Sequence, residues 1–223
     1  FFRLLRAMAD AGAAAASMEV SSHALALGRV AGAAFDLAVF TNLTRDHLDF
    51  HETIEEYAAS KKLLFKQLAG AAGKQGATAI INTRPLRTHH WSGLGTCIKN
   101  PIMFVPRPAD YHGDACASLG AVWRLPELDG KVRLNVLVML TPQFHGVGPH
   151  SYSPRYVWPY GGLIVGSDPV AVDATGARII RAKRDLFFGG PRPISPPPHH
   201  IAIAGARYGL GVSDPERIDL VRL

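Results

Sequence analysis

The sequence predicts an α/β fold assembled from two pieces, a partial parallel sheet followed by a second α/β fragment. Three observations predict it. Residues 1–82 alternate helix-spaced apolar residues with short apolar runs, the rhythm of a parallel sheet covered by helices. All 16 prolines and all three tryptophans lie at or after Pro85, so the composition breaks sharply near residues 82–84. Beyond the break, two apolar runs lead into a long helical pattern opened by Asp168-Pro169. The domains are therefore set at 1–82 and 83–223.

In the first piece, Phe2, Leu5, Met8 and Ala9 recur at helical spacing, so residues 1–11 read as a helix ending near Gly12. Ala14 to Val20 reads as a short buried strand and residues 22–28 as a helical turn. Phe35 to Leu43 is a second strand. Residues 53–69 form the clearest helix, with Glu55 and Glu56 in the first turn, where the helix dipole favours acids. Ala77 to Asn82 is a third strand. In the second piece, residues 114–123 read as helical, while Val132 to Leu140 and Gly161 to Val165 read as strands. Asp168 is an N-cap with Pro169 at the first helical position, and that helix runs to about Lys183. The Pro-rich residues 191–198 form an extended loop. A short helix and a strand at Arg217 to Val221 close the sequence.

Composition narrows the function classes. Hydrophobic residues make up 48% of the chain and charged residues 19%, the balance of a globular protein with a core. No apolar run approaches the roughly 20 residues of a membrane helix. Arg6 and Asp10 interrupt the apolar start, which argues against a signal peptide. The absence of an initiator Met fits a partial product. Residues 1–83 hold 8 basic and 8 acidic residues, whereas residues 84–223 hold 16 and 10, so the net charge of +6 belongs to the second piece. No basic run with interleaved aromatics accompanies it, and neither nucleic acid nor a membrane is expected as a partner. Cys97 and Cys116 are too few for a disulfide framework, which points to a reducing cytoplasm.

Two polar runs in the first piece follow strands, where open α/β sheets bind ligands. They are Met18-Glu-Val-Ser-Ser-His-Ala-Leu-Ala-Leu-Gly-Arg-Val30 and Thr41-Asn-Leu-Thr-Arg-Asp-His-Leu-Asp-Phe-His51. Glu19 and His47 would make a carboxylate–imidazole pair for a hard cation. The plainer reading of each is a cap or a satisfied surface group. With Tyr57-Ala-Ala-Ser-Lys-Lys-Leu-Leu-Phe65, these runs resemble the signatures of the central domain of the Mur ligase family, of the UDP-N-acetylmuramyl-tripeptide synthetase type. That family phosphorylates a substrate carboxylate with ATP and lets an amine displace the phosphate. The resemblance implies ATP and magnesium as cofactors and a UDP-muramyl peptide as substrate. It implies that Glu19 and His47 hold magnesium, that Lys61 is carbamylated, and that Ser21 and Arg29 contact UDP-N-acetylmuramyl dipeptide. Leu27 departs from the pattern, which has a polar Gln there. The sequence also contains no G-x-x-x-x-G-K-[ST] phosphate loop to cradle ATP. The first piece is therefore expected to be a fragment, inactive by itself.

The second piece holds seven of the ten histidines, namely His89, His90, His112, His145, His150, His199 and His200, at spacings that define no metal site. Thr88-His-His-Trp-Ser-Gly-Leu-Gly-Thr-Cys-Ile-Lys-Asn100, Gly166-Ser-Asp-Pro-Val-Ala-Val-Asp-Ala-Thr-Gly-Ala-Arg178 and Tyr208-Gly-Leu-Gly211 resemble motifs of the domain-of-unknown-function family number 362. Some relatives carry iron–sulfur cysteine motifs; this chain has none, and no cluster is expected. His89, Lys99, Asp168 and Asp173 are its candidate polar residues, with Asp168 read first as a helix cap. The alternatives to a ligase fragment are a binding or redox-associated module of that second family, or a fused gene product without function. The oligomeric state stays open.

Overall fold

A computed structural model of the chain describes residues 1–40, 50–70, 79–146 and 153–223. The chain divides into two compact units, Phe1–Ala38 with Leu43–Thr78, and Val39–Asn42 with Ala79–Leu223.

In the first unit, helix α1 (Phe2–Asp10) buries no residue and carries an Arg6–Asp10 ion pair of 2.9 Å one turn apart. Helix α2 (Ser22–Ala26) is short. Helix α3 (Ile54–Gly70) begins with Glu55 and Glu56 as expected. Its start is capped twice: Thr53 Oγ1 accepts from the Glu56 amide at 3.2 Å, and the Glu56 carboxylate accepts from the Glu52 amide at 3.1 Å. Helix α2 packs on α3, burying Leu25, Tyr57 and Ala58. The buried His51 ring stacks on Tyr57 with centroids 5.3 Å apart. The strand expected over Ala14 to Val20 is not formed; residues 14–19 are exposed. Small Ala and Ser side chains favour strands weakly, and no ladder pairs with them among the described residues.

The sheet has the order β1-β2-β4-β5, with β3 paired to the side of β2. Its strands are β1 (Leu37–Phe40), β2 (Ala79–His89), β3 (Gly93–Gly95), β4 (Val132–Gln143) and β5 (Gly162–Gly166). Strand β2 runs seven residues past Asn82, where the sequence suggests an end. It pairs in parallel with β4 from Ile80↔Val132 onwards, and the register shifts between Pro85 and Arg87. Proline has no N–H for a ladder, so an irregularity there is expected. Strands β3 and β5 run antiparallel to their neighbours, so the fold is mixed α/β with a parallel pair at its centre.

Among the described residues, the second unit holds the α-helices α4 (Leu119–Val122), α5 (Pro169–Phe188) and α6 (His199–Tyr208). Helix α5 lies on β4 and β5 and buries Val170, Val172, Ala177 and Ile180. It approaches closely at Gly176, where an added Cβ would lie 2.5 Å from a Leu137 methyl and 3.4 Å from Leu86. Residues 191–198 are irregular, as their prolines require. The strand expected at Arg217 to Val221 does not form. A 3₁₀ turn (Pro215–Arg217) stands there, and Leu220 and Val221 are exposed without a strand to pair. Among the described residues, no helix is long and apolar enough to cross a membrane.

Candidate functional site

In the first unit, Ser21 is the N-cap of α2, and its side chain accepts from the Ala24 amide at 3.2 Å. Arg29 and Glu19 are exposed. Lys61 is half-buried on α3, its ammonium 4.9 Å from the centroid of the Tyr57 ring one turn earlier. His47 lies outside the described residues. Among the described residues no three of His, Cys, Asp and Glu gather as metal ligands.

The second unit contains a more organised site, built around the loop Thr96–Asn100. Three elements fix that loop. From α5, the Asp173 carboxylate accepts from the Cys97 amide at 2.9 Å and the Ile98 amide at 2.8 Å. From β2, the Asn82 amide group donates to the Cys97 carbonyl at 2.9 Å and to Asn135 on β4 at 2.9 Å. Trp123 donates its indole N–H to the Ile98 carbonyl at 2.9 Å. Asn100 closes the network by donating to Asn82 Oδ1 at 2.7 Å. Asp173 is wholly buried, and burial pushes its carboxyl up to about 7 against the opposing pull of the two amides.

The loop so held presents Lys99, 4% exposed, with its Nζ 2.9 Å from His112 Nε2. Burial lowers the Lys99 ammonium to about 8, and Arg84 pushes in the same direction. His89, at the end of β2, is lowered to about 2 by burial and then by Lys99, His90, Arg84 and His112. Burial and Lys99 lower His112 to about 4. The rings of His89 and His112 lie 6.4 Å apart, and the Trp91 ring packs at a tilt against both His90 and His112, with centroids 4.0 and 4.1 Å away. Arg84 and Arg87 of β2 converge on Gly95. A Cβ there would lie 3.7 Å from Arg84 Nη2 and 3.8 Å from Arg87 Cγ. Burial and then Arg87 lower Arg84 to about 10, and burial lowers Arg87. His200 is wholly buried, its two ring nitrogens lack partners among the described residues, and burial and then Lys99 bring it to about 3. Cys116 is buried in the field of Lys99, at the end of three consecutive left-handed residues, Asp114, Ala115 and Cys116, with φ of 46°, 47° and 67°.

Of the second-piece candidates, Lys99 and His89 come together, and Asp173 acts on them through the loop it holds. Asp168 stands apart at the start of α5. One of its oxygens accepts from the Val170 and Ala171 amides, each at 2.8 Å, and the other accepts from the Val212 amide at 2.9 Å. Sequence reasoning missed Arg84 and Arg87. Their signal is Arg84-Pro-Leu-Arg87, two arginines inside a strand that is otherwise apolar or neutral from Ala79 to Thr88.

A family profile described as the Mur ligase middle domain matches residues 2–101, which extends past residue 82 through β2, β3 and Lys99. Among curated proteins, the chain is 59% identical over 69 residues to the UDP-N-acetylmuramoyl-L-alanyl-D-glutamate--2,6-diaminopimelate ligase of Bacillus licheniformis, covering 31% of this chain and 14% of that protein. The corresponding ligase of Chlorobaculum tepidum is 68% identical over 65 residues, covering 29% and 13%. The UDP-N-acetylmuramoyl-L-alanyl-D-glutamate--L-lysine ligase of Staphylococcus epidermidis is 55% identical over 73 residues, covering 33% and 15%. No solved structure matches. The matched stretch thus spans less than a fifth of the length of these relatives, and similarity to the Mur ligase middle domain belongs to the first part of the chain.

Proposed function

We propose that residues 1–82 derive from an ATP-dependent amide ligase of peptidoglycan precursor synthesis, one that extends UDP-N-acetylmuramyl dipeptide in the cytoplasm. Residues 83–223 are a separate fragment of the domain-of-unknown-function family number 362. The observation that carries the ligase reading is the 68% identity over 65 residues to a ligase of that substrate class. In this reading Glu19 and His47 are remnants of a magnesium site, Lys61 of a carbamylated lysine, and Ser21 and Arg29 of the dipeptide-binding surface. Magnesium takes about six ligands in a near-ideal octahedron, mostly oxygens. Glu19 would supply one such oxygen, His47 lies outside the described residues, and no catalytic step is assigned through the ion.

These 223 residues are proposed to lack ligase activity, because phosphoryl transfer rests on positioning and charge stabilisation and the sequence has no phosphate loop. The test is ADP release from ATP with UDP-N-acetylmuramyl dipeptide and either diaminopimelate or lysine. No release above a blank is expected. Release that Glu19→Ala abolishes would overturn the proposal. Detection in cells of one peptide crossing residues 75–84 would separate a joined protein from two independent products.

A further inference from the structure

The second unit holds a cluster of cations with no counter-charge among the described residues. Arg84, Arg87 and Lys99 act on one another or on the same neighbours, and no carboxylate is among the groups that act on them. None of the three makes an ion pair among the described residues. The Nε atoms of Arg84 and Arg87 are buried without a hydrogen-bond partner. The Arg84 guanidinium has one long contact, 3.4 Å to Asn100 Oδ1. Asp173, the wholly buried carboxylate nearby in the chain's loop network, is occupied by the Cys97 and Ile98 amides.

Desolvated like charges without a partner are unfavourable, and folded proteins normally pair them or neutralise them. Here the surroundings do neither for the arginines. The cluster is also reachable. Arg87, His89, His90 and His112 are half-buried, and Trp91 at its rim is 47% exposed. We propose that Arg84, Arg87 and Lys99, with the imidazoles of His89 and His112, form a binding site for a dianionic phosphate group. The guanidinium forks match tetrahedral oxyanions, and two arginines with a lysine suit two negative charges better than one. Phosphate oxygens would take up the orphaned Nε–H donors. The group can arrive as free inorganic phosphate or on a small phosphomonoester, whose organic part would then meet Trp91. The site belongs to the second unit, so it stands whether or not the first unit retains ligase chemistry.

The test is calorimetric titration of the intact chain with inorganic phosphate, phenyl phosphate and acetate at matched ionic strength. Saturable phosphate binding with one site per chain is expected, and acetate should give none. Arg87→Gln should weaken phosphate binding roughly ten- to a hundredfold, the usual effect of losing a charge-assisted bond. Its side chain makes no hydrogen bond among the described residues, so the fold should tolerate the change. Arg217→Gln, on the exposed terminal turn and outside the proposed cluster, should leave binding unaltered. Tighter binding of phenyl phosphate assigns the site to a phosphomonoester, and equal binding assigns it to free phosphate. Absence of saturable phosphate binding, binding unchanged in both Arg87→Gln and Lys99→Gln, or acetate binding as well as phosphate would overturn the proposal.

Discussion

Replacing Asp173 with Asn should remove a specific slope from the pH dependence of stability. The carboxyl is wholly buried and titrates at about 7 in the fold against an ordinary 3.8. Between those values the folded chain holds a proton that the unfolded chain has released. Stability therefore falls as pH rises from 4 to 7, by about 1.4 kcal/mol per unit and about 4 kcal/mol in all. Asn cannot ionise, so the variant lacks this loss. It carries a different, pH-independent penalty, because its NH₂ group would face one of the two backbone amides that Asp173 now accepts from. That mismatch costs about 1–3 kcal/mol. The expected outcome is a wild-type advantage at pH 4 that shrinks by about 4 kcal/mol by pH 8. Urea denaturation followed by tryptophan fluorescence measures it, since Trp91, Trp123 and Trp158 all lie in the second unit and Trp123 bonds the same loop. The other titrating groups cancel in the difference between the two proteins. A difference that stays constant from pH 4 to 8 would refute the assignment of a raised carboxyl to Asp173.

Lys99→Met gives a slope in the opposite sense. The ammonium is lowered from 10.5 to about 8, so wild type should gain about 3 kcal/mol on the variant as pH rises from 8 to 10.5, read by the same denaturation. Asp168→Ala removes the cap of α5 and the partner of the Val212 amide, and should cost about 1–2 kcal/mol in urea, with faster amide exchange at Val170 and Ala171. Gly176→Ala drives a methyl into Leu137 and should destabilise the second unit by about 1–3 kcal/mol in thermal unfolding.

Helices were legible where local signals suffice. The acidic first turn of α3 and the Asp168-Pro169 start of α5 need no knowledge of the rest of the chain. Strands were legible only where a partner exists. Val132 to Leu140 found β2 and β5, whereas Ala14 to Val20 and Arg217 to Val221 pair with no strand among the described residues, and local composition does not reveal that. The candidate site divides in the same way. Lys99 and His89 stand out because they sit in motif-like runs. His112 joins them only through the packing of residues 13 positions beyond Lys99, at a 2.9 Å contact that no spacing rule encodes. Arginines on a strand ordinarily read as its wet face. The convergence of Arg84 and Arg87 on Gly95 follows from the irregular ladder after Pro85, which is a property of the sheet and not of the sequence pattern.

Strand β2 has a practical consequence for anyone who wishes to dissect the chain. The composition changes near residues 82–84, and a cloning boundary drawn there would look natural. Yet Ile80 and Ile81 are already zipped to Val132 and Leu134, and the Asn82 side chain is shared by Cys97, Asn100 and Asn135. A fragment opened at residue 83 would strip β4 of its first partners and leave Asn135 and Asn100 each short of a buried bond. A fragment closed at residue 82 would carry away a piece of strand belonging to someone else's sheet, with an open edge ready to find another chain. A cut ahead of Ala79 keeps these bonds but takes β1 from beside β2, so it exposes one edge of the sheet where a cut at residue 82 or 83 would break its centre.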